Sequence, residues 1–229
     1  MRLHRFYINT PIAENKIVVK DEHILHQWRN VFRYNVGSEV VLFDGSGFEY
    51  DCVIERLSNR EAELNVVSKK KGIMPENKIT LYQSLIKKDK MEWVVEKATE
   101  LGVSKIVPVV SDRSEKKGFS IERARKIAVE ASEQCGRGDV PLIDNSQKII
   151  DISLNDQEKF IVFDSSGVPF DSSLLSTNYR LLSILVGPEG GWSDKEIERF
   201  KEAKMEIFNL GKLTLRAETA AVVALTKLS

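Results

Sequence analysis

Short runs of β-branched and apolar residues, separated by polar turns, characterise the first part of the chain. This alternation predicts strands, and the turn residues at 44–47 are typical of a hairpin. One short helix is predicted around residues 22–31. Several short strands joined by tight turns indicate a small β-barrel. The predicted strands are residues 16–19, 39–43, 48–57 and 61–67.

The periodicity changes after residues 68–75, where a lysine run, a glycine and a proline predict a linker. Beyond this stretch, nearly continuous apolar strands alternate with helical patterns, which is typical of an α/β domain with a parallel sheet. We therefore predict two domains, residues 1–72 and 73–229. The predicted strands of the second domain are residues 79–83, 106–110, 160–163, 181–186 and 207–210. Its helices are predicted to begin at Asp89, Ser120, Ser193 and Arg216. Glu92 follows Asp89 by three positions and Glu196 follows Ser193 by three, which predicts a capping box at both starts.

Composition narrows the class of protein. Hydrophobic residues make up 42% and charged residues 30% of 229 residues, so the chain can bury a core without disulfides or metals. Cys52 and Cys135 lie far apart in sequence, which predicts neither a disulfide framework nor a metal site and fits a cytoplasmic protein. No apolar run is long enough to span a membrane. The 34 basic and 34 acidic residues balance, so binding to a nucleic acid needs locally arranged cations.

A glycine-bearing loop at residues 186–193 leaves a buried strand and enters a capped helix. Ligands of open α/β sheets bind at the carboxyl ends of the strands, and glycine lets the backbone approach a ligand closely. The spacing of Gly187, Gly190 and Gly191 matches neither a dinucleotide fingerprint nor a phosphate loop. The loop therefore favours a ligand other than a pyrophosphate, with a strained connector as the alternative.

A second loop, residues 210–220, also follows a short strand and opens a helix. Arg216 and Glu218 begin this otherwise apolar helix. A charged pair at the mouth of a buried element costs free energy unless it is paired or used. The two side chains are therefore candidates for chemistry, and the alternative is an ion pair or helix cap.

Ordered segments across nearly the whole chain are similar to one family. They are residues 4–6, 26–33, 97–103, 113–114, 130–134, 187–192 and 215–220. Together they resemble the SPOUT-class RNA methyltransferases, and within them the RsmE group, which methylates N3 of a uridine in small-subunit (16S) ribosomal RNA. Phe32 stands where the family more often has leucine.

The resemblance implies a PUA-like β-barrel at residues 1–72 and, at residues 73–229, an α/β methyltransferase domain with a trefoil knot. It also implies a homodimer that binds S-adenosylmethionine and acts on ribosomal RNA or an assembled small subunit, without a metal or a membrane. The loop at residues 163–167 is a further candidate to line the pocket. The implied cofactor-binding residues are Leu185, Val186, Gly187, Gly190, Gly191, Leu210, Gly211, Leu213, Leu215 and Ala220.

Uracil N3 must lose a proton before it accepts a methyl group, and negative charge then spreads to the flanking carbonyl oxygens. A fixed guanidinium stabilises such charge, which makes Arg216 the first catalytic candidate. Glu218 would orient Arg216 or help to remove the proton.

Basic residues near the N-terminus are candidates for docking RNA, because guanidinium groups bind phosphate bidentately. They are Arg2, His4, Arg5, Arg29 and Arg33. Arg29 and Arg33 are four residues apart and would share a helix face. The alternative is ordinary surface ion pairing. A second basic zone comprises Arg113, Lys116, Lys117, Arg123 and Arg125.

Two other functions stay open at the level of sequence. One is a related enzyme that methylates a different RNA position or a ribose oxygen. The other is a non-catalytic RNA-binding or ribosome-assembly factor, which would not need the glycine loop or Arg216.

Overall fold

The computed structural model describes residues 3–115, 119–153, 158–171 and 181–228. The chain divides into two compact units. The first comprises residues 1–74 with 132–140, and the second comprises residues 75–131 with 141–229. The sequence did not predict that residues 132–140 pack with the first unit. The predicted domain division at residue 72 stays a prediction.

The first unit contains a curled five-stranded sheet in the order β1-β3-β4-β5-β2. Its strands are β1 (Arg5–Tyr7), β2 (Lys16–Val19), β3 (Glu39–Phe43), β4 (Phe48–Leu57) and β5 (Ala62–Lys71). β1 pairs with β3 in parallel, and the other pairs are antiparallel. Residues 68–71, predicted as part of a linker, continue β5 because they pair with residues 48–51 of β4.

Alternation of side chains along these strands builds the core of the first unit. Leu42, Ile54 and Leu64 are fully buried, and they form one apolar cluster with Trp28. Helix α1 (Glu22–His26) begins where the Asp21 side chain accepts hydrogen bonds from two backbone N–H groups, and a π-helical turn (Gln27–Val31) follows it. The predicted short helix is therefore confirmed.

The shared helical face predicted for Arg29 and Arg33 is wrong. Arg29 lies in the π-helical turn, which does not keep the periodicity of an α-helix. Arg33 lies beyond that turn, with a left-handed backbone at φ 55°. The spacing of four residues therefore does not bring the two side chains to one α-helical face.

The second unit contains a parallel sheet whose described strands run in the order β12-β10-β11-β6-β7-β8, with β9 also paired to β7. The longer strands are β6 (Lys78–Ser84), β7 (Lys105–Val110), β10 (Lys159–Pro169), β11 (Leu181–Val186) and β12 (Glu206–Asn209). The two short strands are β8 (Leu142–Ile143) and β9 (Gln147–Lys148). The parallel α/β sheet predicted from continuous apolar runs is confirmed. The knot stays a prediction.

Four helices of the described chain accompany this sheet: α2 (Lys88–Glu100), α3 (Ile121–Cys135), α4 (Asp194–Glu202) and α5 (Ala217–Thr226). The capping box predicted for α4 is present, because Ser193 and Glu196 exchange hydrogen bonds with each other's backbone. The start predicted for α2 at Asp89 is wrong, because Lys87 is the N-cap and makes no side-chain cap. None of the described helices has the length and apolar character to cross a membrane.

The order of the strands decides where the loops meet. β10, β11 and β12 are neighbours and run in the same direction, so their carboxyl ends lie at one edge of the sheet. β10 bends between Phe163 and Val168, where its register with β12 shifts. Gly167 fits there because a Cβ atom at this position would lie 2.5 Å from the Ile207 carbonyl oxygen. The bend of β10 and the loops that follow β11 and β12 therefore lie at the same edge of the sheet.

Candidate active site

A cavity of about 780 Å³ opens at this edge of the second sheet. Its wall combines the C-terminal half of β10, the loops that follow β11 and β12, and the first turn of α5. Both glycine-bearing loops singled out by the sequence contribute to it. A shared cavity at the carboxyl ends of parallel strands is the arrangement in which α/β proteins bind ligands.

Most residues predicted to bind a cofactor line this cavity. They are Val186, Gly187, Gly190, Gly191, Leu210, Gly211, Leu213, Leu215 and Ala220. Leu185 is the exception, because it is fully buried in β11 and does not line the cavity. Leu213 is 83% exposed, so a large apolar side chain stands at the rim and is available to a ligand.

Local packing explains why glycine occupies the loop after β11. A Cβ atom on Gly187 would lie 3.2 Å from the indole ring of Trp192, which itself donates a hydrogen bond of 3.2 Å to the Phe163 carbonyl oxygen. Gly191 has φ +67°, a left-handed backbone that favours glycine. The loop is therefore shaped by its backbone, and it presents backbone polar groups to the cavity.

Arg113 holds this loop from the side. Its Nη1 atom donates to the carbonyl oxygens of Gly190 at 2.9 Å and Trp192 at 3.2 Å. The sequence placed Arg113 in a basic zone, and the resemblance included it without a role. The partners come from residues far along the chain, so no local pattern could have identified this contact. Lys116 and Lys117 of the same zone lie outside the described residues.

Asp112, the residue before Arg113, also connects the loop after β7 to the start of α4. The Asp112 backbone N–H donates to Glu196 Oε1 at 2.9 Å, and the Ser193 hydroxyl donates to Asp112 Oδ2 at 2.5 Å. Glu196 also accepts from the Ser193 backbone N–H at 2.8 Å and is 6% exposed. The cap of α4 is thus fixed to the loop after β7, which keeps the glycine loop in place.

Asp164 contributes a carboxylate to the cavity wall. Its Oδ1 atom accepts hydrogen bonds from the backbone N–H of Ser166 at 2.8 Å and from the Ser166 hydroxyl at 2.7 Å. Glu189 and Lys212 are the other charged residues among the described lining, and both are exposed. The sequence predicted residues 163–167 to be a loop that lines the pocket. The structure places them in β10, at its bend, and residues 163–165 line the cavity.

Arg216 is the N-cap residue of α5, between the cavity-lining residues Leu215 and Ala217. Its side chain is exposed, and within the described part of the chain its guanidinium forms no hydrogen bond or ion pair. The guanidinium is therefore available to a bound substrate. The predicted alternative, an ion pair between Arg216 and Glu218, is not formed.

Glu218 is only 7% exposed, and its Oε1 atom lies 3.4 Å from Lys90 Nζ in α2. The pair ties the first turn of α5 to the first turn of α2. The sequence missed Lys90, because nothing local marks it as a partner of a residue so distant in the chain. Glu218 therefore has a cationic neighbour other than Arg216.

The N-terminal RNA candidates are placed differently from one another. Arg2 lies outside the described residues. His4 is exposed, with Nδ1 2.7 Å from the Tyr34 hydroxyl and its ring centroid 4.4 Å from that of Phe32. Arg33 is exposed, and Arg29 is half-buried, with Nε donating to the Leu25 carbonyl oxygen at 3.1 Å and Nη1 donating to Asn59.

Arg5 is buried, unlike the other N-terminal candidates. It is 8% exposed, pairs with Glu49 at 2.9 Å and donates to the Arg137 carbonyl oxygen at 2.8 Å. Its guanidinium carbon lies 4.9 Å from the centre of the Phe43 ring. These contacts favour a structural role within the first unit, because the charged group is enclosed by protein.

No group of three or more potential metal ligands occurs among the residues that the structure describes. The perturbed pKa values also lie away from the cavity. Beside His4, burial raises the pKa of the Tyr34 hydroxyl. In the first unit, burial and then the nearby Asp51 charge raise the pKa of the Cys52 thiol to about 12. The evidence for a functional site at the cavity is therefore its shape and its charged residues, not a metal-ligand group or a shifted pKa.

Two domain families match the chain. An RNA methyltransferase domain matches residues 74–229, and an RNA methyltransferase PUA domain matches residues 29–67. The chain is 30% identical to a ribosomal RNA small subunit methyltransferase E of Rickettsia conorii. That similarity covers 99% of this chain and 95% of the relative.

Solved structures with the same fold extend over the full chain. One is a ribosomal RNA small subunit methyltransferase E from Neisseria gonorrhoeae bound to S-adenosyl methionine, with a TM-score of 0.89, 26% identity and coverage of 99% and 97% of the two chains. Another is a methyltransferase from Legionella pneumophila in complex with the same cofactor, with a TM-score of 0.90, 26% identity and coverage of 100% and 97%.

Proposed function

The chain belongs to the RNA methyltransferase family, and from that premise we propose that it uses S-adenosylmethionine to methylate N3 of a uridine in small-subunit (16S) ribosomal RNA. The observation that carries the proposal is the convergence of both glycine-bearing loops on one cavity beside Arg216. The relatives named above support the substrate class and the cofactor. The methylated atom, N3 of uridine, is proposed from the family resemblance of the sequence.

The cavity suits S-adenosylmethionine in size and chemistry. Its volume of about 780 Å³ lies in the range of small-molecule sites, which combine apolar walls with a few placed polar groups. Leu213 and Leu215 provide apolar surface for the adenine. The backbone of Gly187 and Gly211 provides hydrogen-bonding groups that no side chain blocks. When bound, the cofactor supplies a methyl group activated by a sulfonium, so the transfer needs no metal ion.

Arg216 is proposed to stabilise the uracil as N3 loses its proton. Its guanidinium is free of protein partners within the described chain, and its two neighbours in sequence, Leu215 and Ala217, line the cavity. A fixed cation aimed at developing negative charge lowers the barrier of the reaction. Holding N3 close to the methyl group supplies further acceleration through alignment.

Glu218 and Lys90 are proposed to position Arg216. Their pair joins the first turns of α5 and α2, so it fixes the end of the helix from which Arg216 extends. This arrangement replaces the direct contact between Glu218 and Arg216 that the sequence predicted. A part for Glu218 in removing the N3 proton stays a prediction.

The first unit is proposed to dock the RNA. His4, Arg29 and Arg33 have side chains that are exposed or half-buried, and Arg2 completes the predicted set. Arg5 would support this surface from within, because it is buried against Glu49. Because the formal net charge of the chain is zero, RNA binding requires a local group of exposed cations that bind phosphate, and these residues would provide it. Because the proposed substrate is ribosomal RNA, we propose that the protein acts in the cytoplasm.

A homodimer is proposed as the working form. α5 is apolar almost all round, yet Val222 and Val223 are only half-buried in the single chain. On α2, which packs against α5, Trp93 is 39% exposed. Exposed apolar side chains on adjoining helices are typical of a surface that another chain covers. Sedimentation equilibrium would test this, since a monomer at all concentrations would contradict it.

Nucleoside analysis tests the proposed function. The protein is incubated with labelled S-adenosylmethionine and either naked 16S ribosomal RNA or assembled small subunits, and the RNA is digested and analysed by mass spectrometry. We expect 3-methyluridine at one position, and we expect Arg216→Ala to reduce it strongly. Methylation of another atom would show that the protein is an RNA methyltransferase of different specificity. Cofactor binding without any methylation would favour a non-catalytic assembly factor.

A further inference from the structure

Asp164 is the least exposed charged side chain among the described cavity-lining residues. One of its carboxylate oxygens, Oδ1, is held by Ser166 through the backbone N–H at 2.8 Å and the hydroxyl at 2.7 Å. The other oxygen, Oδ2, lies 4.0 Å from the point where a Cβ atom on Gly191 would stand. The carboxylate is thus fixed at one oxygen while the other faces the glycine turn.

No cation of the described chain neutralises this carboxylate, since Asp164 forms no ion pair there. Glu189 and Lys212 also line the cavity, but both are exposed to solvent, which screens their charges. A half-buried charge acts on a neighbouring ligand more strongly than an exposed one. The cavity wall is therefore locally negative at Asp164.

On the premise of the proposed function, we propose that Asp164 is a specificity determinant that separates the methyl donor from its spent product by charge. S-Adenosylmethionine carries a sulfonium. Transfer of the methyl group to N3 leaves the bonding electrons of the broken carbon–sulfur bond on sulfur, so S-adenosylhomocysteine has one positive charge fewer. A fixed carboxylate in the wall attracts the donor more than the product, and it thereby favours exchange of product for donor.

Calorimetric titration with three ligands tests this role without measuring activity. The ligands are S-adenosylmethionine, S-adenosylhomocysteine and sinefungin, an analogue that has an ammonium group where the donor has its sulfonium. In Asp164→Asn, we expect affinity for the two cationic ligands to fall about tenfold, while affinity for S-adenosylhomocysteine changes by less than about twofold. Glu198→Gln is the matched control, because Glu198 is an exposed carboxylate of α4 that does not line the cavity, and it should leave all three affinities within about twofold.

The results separate the possible roles of Asp164. An equal loss for all three ligands would overturn the charge role and leave a hydrogen-bonding or loop-shaping role, and no change for any ligand would also overturn it. If the unmodified protein binds none of them, the proposed function fails first.

Two further measurements test the charge role even if Asp164→Asn does not fold. Ser166→Ala keeps the charge and should keep the preference for the donor over the product. In the unmodified protein, added salt should weaken donor binding more than product binding, because only the donor has the extra charge.

Discussion

Arg5 in the first unit and Arg216 in the second are held in opposite ways. Arg5 is 8% exposed, pairs with Glu49 and donates to a backbone carbonyl oxygen. Arg216 is exposed at the start of α5 and has no protein partner within the described chain. One guanidinium is committed to the fold, and the other is free to meet a substrate.

This difference teaches how to separate a structural cation from a functional one. A buried charge is tolerated only where partners compensate for the lost hydration, so its removal leaves an uncompensated partner behind. An exposed cation without a partner contributes little to stability. Its loss should be seen in chemistry rather than in folding.

Arg5→Ala should have the largest effect on stability. Glu49, whose side chain is 13% exposed, would be left without its closest cation, and breaking such a pair costs about 3–5 kcal/mol. Native-state hydrogen exchange of the β3 and β4 amides measures the loss within the first unit. The double variant Arg5→Met, Glu49→Leu should recover much of it. Unchanged protection in Arg5→Ala would show that the pair is not important for the fold.

Arg216→Ala should have the largest effect on catalysis. Loss of one group that stabilises developing negative charge lowers turnover by about 10²–10³-fold. Methyl transfer at saturating cofactor measures this loss. Cofactor affinity by calorimetry and the melting temperature should stay as in the unmodified protein, because the Arg216 guanidinium forms no hydrogen bond or ion pair with the residues that the structure describes. Normal turnover would remove Arg216 from the mechanism.

Arg113 is an intermediate case, since it is a cation that holds the glycine-bearing loop after β11. Arg113→Ala removes both hydrogen bonds to the Gly190–Trp192 turn, and we expect cofactor affinity to fall about tenfold. Turnover at saturating cofactor should change much less. Arg123→Ala is the control, because its partner is Glu92 and it does not contact the loop. Equal effects of both variants on cofactor affinity would contradict the positioning role.

Asp44 gives the smallest effect, and it concerns the stability of the first unit. Burial opposes its ionisation, but hydrogen bonds from the Ile12 and Ser46 backbone N–H groups and from the Ser46 hydroxyl outweigh this, so the pKa of Asp44 is lowered from 3.8. A lowered pKa stabilises the folded state above the unfolded value, and the contribution is lost as pH falls through the folded pKa.

The difference in unfolding free energy between the unmodified protein and Asp44→Asn should therefore shrink as pH falls from about 5 to about 2. Urea unfolding at a series of pH values measures it. A difference that stays constant over this interval would show that Asp44 does not titrate with folding.

The cavity was predictable because its signals are local. Gly187, Gly190 and Gly191 mark a backbone that must approach closely, and they follow an apolar strand that ends at the edge of a parallel sheet. The family resemblance then joined this loop to the second loop near Arg216. The strands at residues 16–19 and 39–43 were likewise predictable from their β-branched and apolar residues.

What the sequence did not reveal depends mostly on contacts between residues that are distant in the chain. Residue type gives the charge of Arg5 but not its burial, which depends on Glu49 and on the segment around Arg137. The pairing of Lys90 with Glu218 depends on the packing of α2 against α5 and leaves no mark on the sequence. The helix start predicted at Asp89 failed because a local capping pattern does not decide where the chain enters α2.

A crystal structure of the protein with S-adenosylmethionine would show where the cofactor binds. We expect it in the cavity between residues 187–191 and 210–215, with its methyl group on the side of Arg216. Cofactor bound elsewhere, or a cavity that stays empty at saturating concentration, would rule out this site and the role of Arg216.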